Sequence, residues 1–236
     1  MRSSLALFTS LILFANCAQA EWEPALIGTS KNSFPNKVVV PRDTPEGTHY
    51  VRCELSVGNT GRTRFSYCYA ITSNTSDLVV RAVRRASLKA RFQNALDGGK
   101  PVRVYMHSTV VVHVQEGKAV VSAFPNAGVN IKQFGWDYVA PQRVNEFIWH
   151  HNSSKNGYNG SWTRGARRVA SWHWIRLKID ASGAITNSEI TTITDNASQH
   201  ELRSLQKSID RMSFRPGLVK GKPTPMVYVE SARRYK

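Results

Sequence analysis

The chain has 236 residues, with 32 Lys and Arg against 16 Asp and Glu and a sequence pI near 10.2. So basic a surface draws anionic partners through its long-range field, although scattered charges also fit a plain soluble surface with no dedicated ligand. The 10 prolines are dispersed, which excludes a long proline-rich spanner, and the few acidic residues single out no catalytic carboxylate pair.

Residues 1–20 read as a signal peptide. Arg2 precedes an apolar run from Leu5 to Ala15, and Ala18-Gln19-Ala20 supplies the small-x-small cleavage pattern before Glu21. The run is shorter than the ~20 apolar residues that span a bilayer. An uncleaved inner-membrane anchor is the alternative, and the periplasm is the expected compartment.

Residues 38–116 predict a first domain. Val51, Cys53, Leu55 and Val57 alternate as a strand with one buried face, and Gly58-Asn59-Thr60-Gly61 turns the chain. Val79, Val80, Val83 and Ala86 form a helical stripe. A long last strand follows over Val102, Val104, Met106, Val110, Val112 and Val114.

Residues 117–170 read as a linker rich in aromatic and basic residues. Phe134, Trp136, Tyr138, Phe147, Trp149, Tyr158 and Trp162 accompany Arg164, Arg167 and Arg168. Aromatics interleaved with arginines stack on sugars or bases and neutralise phosphates, which makes the three arginines a candidate anion site. Aromatics that anchor a linker while the arginines stay solvated are the plainer reading.

Residues 171–236 predict a second domain. Ile175, Leu177 and Ile179 alternate with Trp174, Arg176 and Lys178, Asp180-Ala181-Ser182-Gly183 turns, and Ile185 to Ile193 returns as a hairpin strand. Ser198-Gln199-His200-Glu201 fits a capping box, and Leu202, Leu205, Ile209 and Met212 continue at helical spacing. Gly221-Lys222-Pro223 turns into a third strand, Met226 to Ala232, which Pro225 marks as an edge.

The two domains are copies. Leu55, Gly61, Phe92, Gly99, Lys100 and Pro101 recur 122 positions later as Leu177, Gly183, Phe214, Gly221, Lys222 and Pro223. A period this long means two small domains rather than a solenoid. The expected class is α+β, built from two β-β-α-β units, each a three-stranded antiparallel sheet covered by one helix.

Removal of the leader leaves Cys53 and Cys68, an even count in an oxidising compartment, which predicts one disulfide. Their counterparts are Ile175 and Ile190, so both sites face inward on neighbouring strands. The bridge closes a loop of about 15 residues and contributes about 3 kcal/mol in the chain-entropy view. Two reduced cysteines packed as small apolar groups are the alternative.

The second copy resembles the C-terminal domain of the TonB family of periplasmic energy transducers. The resemblance rests on Leu177-Lys178-Ile179-Asp180-Ala181-Ser182-Gly183-Ala184-Ile185, on Leu202 and Leu205, and on Phe214-Arg215-Pro216 followed by Gly221-Lys222-Pro223. Membership implies a fold that takes an extended peptide from an outer-membrane receptor along the edge of its last strand, here Met226, Val227, Tyr228, Val229, Glu230 and Ser231. An uncovered sheet edge leads to the same expectation, because its free N–H and C=O groups template strand addition. Pairing of that edge with the other copy or another chain, as in a homodimer, is the alternative.

The family's transducers keep a membrane helix and a proline-rich spanner, and no Tyr-Pro pair precedes Trp172. The expected function is therefore a periplasmic binding or adaptor module for an envelope protein. A membrane-anchored transducer and a binder of anionic envelope polymers are the alternatives. Nothing in the sequence marks an enzyme, a cofactor or a metal site. His150-His151 lack a second ligand pair at metal spacing, and no phosphate-binding loop is present.

Overall fold

In the computed structural model, which describes residues 22–144, 169–194 and 197–235, the chain is an α+β protein dominated by antiparallel sheet. Two short strands, β1 (Trp22–Glu23) and β2 (Leu26–Ile27), and the single turn α1 (Phe34–Lys37) lead in. The long hairpin β3 (Gly47–Val57) and β4 (Thr63–Ala70) follows, then helix α2 (Asp77–Lys89). Three short strands come next, β5 (Phe92–Gln93), β6 (Ala95–Asp97) and β7 (Lys100–Val102), before the long β8 (Val104–Gln115). β8 turns through Glu116 and Gly117, both at positive φ, into β9 (Lys118–Phe124).

Side chains alternate across a strand, so Val51, Cys53, Leu55 and Val57 all point to one face of β3. There they meet Val79, Val83 and Ala86 of α2 and Val104, Met106, Val110, Val112 and Val114 of β8 in the first core. The Ser76 hydroxyl caps α2 by accepting from the Leu78 N–H at 3.2 Å. Cys53 and Cys68 stand opposite each other in the β3–β4 ladder and form a disulfide.

After the turn α3 (Ile131–Phe134) come β10 (Tyr138–Val139) and β11 (Gln142–Arg143). The second long hairpin is β12 (Val169–Ile179) and β13 (Ile185–Thr192), followed by α4 (Gln199–Ile209). The chain then runs through β14 (Phe214–Arg215), β15 (Gly217–Val219), β16 (Lys222–Thr224) and β17 (Met226–Tyr235). The second core gathers Ile175, Leu177, Ile179, Leu205, Ile209, Phe214 and Tyr228. Only the serine half of the expected capping box forms, Ser198 Oγ accepting from the Glu201 N–H at 3.2 Å, while the Glu201 carboxylate bonds Ser171.

Gly61 and Gly183 occupy equivalent turns. Both have positive φ, and an added Cβ would sit 2.2 Å from the carbonyl oxygen of Phe92 in one and 2.4 Å from that of Phe214 in the other. The recurring Gly and Phe therefore mark one event, a turn tucked against the backbone that follows the helix.

The structure departs from the sequence reading in three places. Sheet contacts begin at Trp22 rather than near residue 38, because β1 pairs with β6 and β2 with β5. The stretch expected as linker from 117 is built into the fold as far as Val144: β9 extends the first sheet, and β10 and β11 pair with β15 and β14. β9 lies at an edge with most side chains exposed, and two-residue strands have no period, so neither carried a readable pattern. Finally, the long strand expected to include Val102 starts at Val104, since Lys100–Val102 instead pairs with Ala95–Asp97.

Side-chain amides tie these pieces together. Gln142 Oε1 accepts from the Ala25 N–H at 2.9 Å, and its Nε2 donates to the Ala25 carbonyl at 2.8 Å. Arg143 bridges to Tyr105, so β11 and β14 continue the first sheet in the order β14-β11-β8-β3-β4. The second sheet is ordered β13-β12-β17.

Candidate functional site

The expected edge, Met226 to Ser231, lies in β17, a terminal strand of the second sheet. In an antiparallel ladder, alternate residues direct both backbone groups away from the partner strand. Val227 and Ser231 use theirs outside the β12 ladder, which places Val229 in the same outward set. Asn130 Nδ2 donates to the Val227 carbonyl at 2.9 Å, and its Oδ1 accepts from the Val227 N–H at 3.2 Å. Glu54 Oε1 accepts from the Ser231 N–H at 3.2 Å and from Ser231 Oγ at 3.1 Å.

The inward residues of the same strand build a buried polar seam with the first sheet. The Tyr228 hydroxyl donates to Glu230 Oε2 at 2.9 Å, and Arg143 Nη2 donates to Glu230 Oε1 at 2.9 Å. The Arg143 guanidinium is fully buried and lies over the Tyr105 ring, 4.4 Å from its centroid. Tyr228 also meets His107 and Phe214 edge-on, with centroids 4.8 and 4.7 Å apart. Met226 packs with Tyr138 and Ala140 in a separate small cluster.

Burial sets the ionisation of this seam. Desolvation, reinforced by Glu230, lifts the Tyr228 hydroxyl well above its ordinary pKa, so it stays protonated and donates. Desolvation pushes His107 down to about 4, which keeps the ring neutral at pH 7. For Arg143 burial opposes the charge, but Glu230, Tyr228 and Tyr105 outweigh it and hold the pKa above the usual arginine value.

The opposite edge of the second sheet is β13. By the same alternation its outward residues are Ser188, Ile190 and Thr192, since Ile193 donates inward to the Trp172 carbonyl. Beside β13 runs an open cleft of about 830 Å³, lined by Ile185, Ser188, Ile209, Met212 and Phe214, with Gly183 at one end. Polar Ser182, Thr186, Asn187, Asp210 and Ser213 share this lining with the apolar residues, a mixture that can receive a side chain carried on an extended backbone.

A second buried cluster joins Ser171, His173, Thr192 and Glu201. Ser171 Oγ donates to Glu201 Oε1, His173 Nε2 contacts the same oxygen at 3.2 Å, and His173 Nδ1 meets Thr192 Oγ1 at 3.2 Å. A nucleophilic serine needs the histidine as its own partner. Here both side chains converge on the carboxylate, and all three are buried, so the cluster reads as a structural hydrogen-bond network. The Glu201 carboxylate at the helix start thus reaches across to the sheet.

The candidate anion site of Arg164, Arg167 and Arg168 lies outside the described residues, as do Phe147, Trp149, His150, His151, Tyr158 and Trp162. Trp136 does sit in the fold, stacked near Tyr50 and 4.8 Å from Phe124 by ring centroids. Sequence reasoning missed Asn130, Glu54 and Arg143. Glu54 stands at an outward position between Arg52 and Ser56, where a charge needs no explanation until the second sheet is seen to cover it.

Among the described residues, no group of three His, Cys, Asp or Glu side chains could hold a metal ion, and no helix is long and apolar enough to cross a membrane. Compared with models of known protein families, with curated proteins and with solved structures, the chain matches none.

Proposed function

We propose that this protein is an exported binding or adaptor module that accepts an extended segment of an envelope polypeptide by strand addition. In this reading the chain is a tandem duplication of a β-β-α-β unit, each copy preceded by a short arm, β1–β2 in one and β10–β11 in the other. The periplasm is its compartment, and the resemblance of residues 172 to 236 to TonB C-terminal domains makes an outer-membrane receptor one such partner. The observation that carries the reading is the open edge of β13 beside the 830 Å³ cleft. An edge presents a row of backbone donors and acceptors, while the cleft offers selectivity for a side chain two residues apart from the next.

The test is capture of random dodecapeptides displayed on phage by the full chain, at low and at high salt. Strand addition rests on backbone hydrogen bonds and should persist at high salt, whereas ionic binding of a polyanion should collapse. Ser188→Pro removes an outward N–H from β13 without breaking its ladder to β12, and should abolish capture. Capture that vanishes with salt, or that ignores Ser188→Pro, would sink the β13 assignment.

A further inference from the structure

Helix α2 turns a basic face outward. Arg81, Arg84, Arg85 and Leu88 recur at the spacing that keeps residues on one side of a helix, opposite the buried Val79, Val83 and Ala86. Arg81 and Arg85 are exposed, as is Lys89 in the last turn, and Leu88 stands among them 48% exposed. The chain around the end of the helix extends this face. The Arg91 N–H donates to the Asn32 carbonyl, which places the neighbouring Lys31 at the same end, and Arg91 bridges to Arg62 ahead of β4.

This charge is uncompensated. Asp77, in the first turn, is the one acidic residue of α2, and among the described residues no carboxylate pairs with Arg81, Arg85, Lys89, Arg62 or Arg91. Arg81, Arg85 and Lys89 stand four apart, a spacing at which like charges repel along a helix. Nor does the fold require the whole face. At the offset of 122, α4 repeats the stripe as Arg203, Lys207 and Arg211, but Gln206 stands for Arg84, Asp210 for Leu88, Ser213 for Arg91 and Ala184 for Arg62. Gln206 Nε2 donates to Asp210 Oδ1 at 3.0 Å, so the corresponding face of α4 carries its own carboxylate where α2 exposes a leucine.

We infer that the outer face of α2 is a docking surface for the anionic headgroup layer of a lipid bilayer. Charge complementarity selects an anionic partner, since each basic side chain near such a surface adds to the attraction. Leu88 selects a bilayer over a dissolved polyanion. Flanked by Arg81, Arg84 and Arg85, it sinks to the headgroup boundary while the alkyl stems of the arginines lie along the apolar surface and their guanidiniums reach phosphates. A polyanion in water leaves the leucine exposed. The helix rests on the surface and does not insert, because its apolar side is already buried in the first core. The attachment is therefore reversible and sensitive to salt. It does not depend on strand addition at β13, which lies in the other half of the chain.

The experiment is flotation of the full-length protein with vesicles of phosphatidylcholine alone and with vesicles in which part of it is replaced by phosphatidylglycerol. Binding should require phosphatidylglycerol and weaken at high salt. Arg81→Gln/Arg85→Gln/Lys89→Gln should lower vesicle affinity by at least about thirtyfold. Arg203→Gln/Lys207→Gln/Arg211→Gln removes the same charge from α4 and should alter affinity by less than about threefold. Leu88→Gln should weaken vesicle binding about fivefold and leave retention on immobilised heparin, a polyanion without an apolar layer, unchanged. All the replaced side chains are exposed and glutamine suits a helix, so the variants should keep the fold, which far-ultraviolet circular dichroism checks.

Failure to float with anionic vesicles would overturn the inference. Equal losses from the α2 and α4 triple variants would overturn it too, by reducing the attraction to net charge. Leu88→Gln without effect on vesicle binding, or with the same effect on heparin, would make a dissolved polyanion the occupant and remove the bilayer.

Discussion

The two halves of the chain that we propose to be copies place similar backbone events at an offset of 122 and fill them with different chemistry. Where the backbone needs a particular residue, the copies agree, as at Gly61 and Gly183 against the carbonyls of Phe92 and Phe214. Where a site needs only to be filled, they have diverged. The cross-strand pair is a disulfide, Cys53–Cys68, in one and Ile175 opposite Ile190 in the other. The helix and central strand meet through Val51 and Val79 in one and through His173 and Glu201 in the other. The comparison teaches that the fold tolerates an apolar or a covalent pair at one location and an apolar or a hydrogen-bonded pair at another, provided that each partner changes with its mate.

The sharpest way to break this comparison is to change one mate alone. His173→Val or Glu201→Val removes a buried hydrogen-bond partner and should cost about 3 kcal/mol in urea unfolding. His173→Val with Glu201→Val copies the first domain and should recover at least half of that loss. If the double variant is as unstable as the singles, the two sites are not interchangeable.

The covalent solution should also transfer. Cys53→Ile with Cys68→Ile should lose about 3 kcal/mol, the chain-entropy contribution of a loop of about 15 residues. Ile175→Cys with Ile190→Cys should oxidise and gain a similar amount, because the two residues already face each other across β12 and β13. Free thiols that persist in an oxidising buffer would show that the second hairpin does not share the geometry.

His107 occupies the position of Val229, so only the first copy titrates there. The folded pKa of about 4 lies below the ordinary 6.5, so between these values the unfolded chain binds a proton that the folded protein excludes. The stabilisation is complete above about pH 6.5 and is lost as the pH falls toward 4, a difference of about 3 kcal/mol. His107→Gln should flatten the stability profile over that window, and an unaltered slope would remove His107 as its source. The smallest effects are the caps. Ser76→Ala and Ser198→Ala should each cost about 1 kcal/mol, and a marked inequality would separate the two helix starts.

Much of each copy was legible because it is local. Period-two alternation in Val51–Val57 and Ile175–Ile179, the serine caps and the Gly-Lys-Pro turns all act over a few residues. The disulfide was legible because the other copy showed that both cysteines face inward. The arms β1–β2 and β10–β11 were not, since Trp22, Glu23, Leu26 and Ile27 share no residue with Tyr138, Val139, Gln142 and Arg143 at matching positions. Their likeness is one of pairing partners, and pairing is long-range. The occupation of β17 was hidden for the same reason: Asn130 and Glu54 lie 97 and 177 residues from the atoms they bond. A lone edge strand can be read from sequence, but what comes to rest on it depends on how two sheets dock.

The Gln142 amide, clasped on the backbone of Ala25, joins segments 117 residues apart. Closing so long a chain loop forfeits entropy that one pair of hydrogen bonds hardly repays, so the clasp belongs on the native side of the folding barrier. Its worth is then a matter of time rather than of depth. Without it the protein would assemble at nearly its usual pace and come apart sooner, which makes Gln142 a governor of how long the folded form survives.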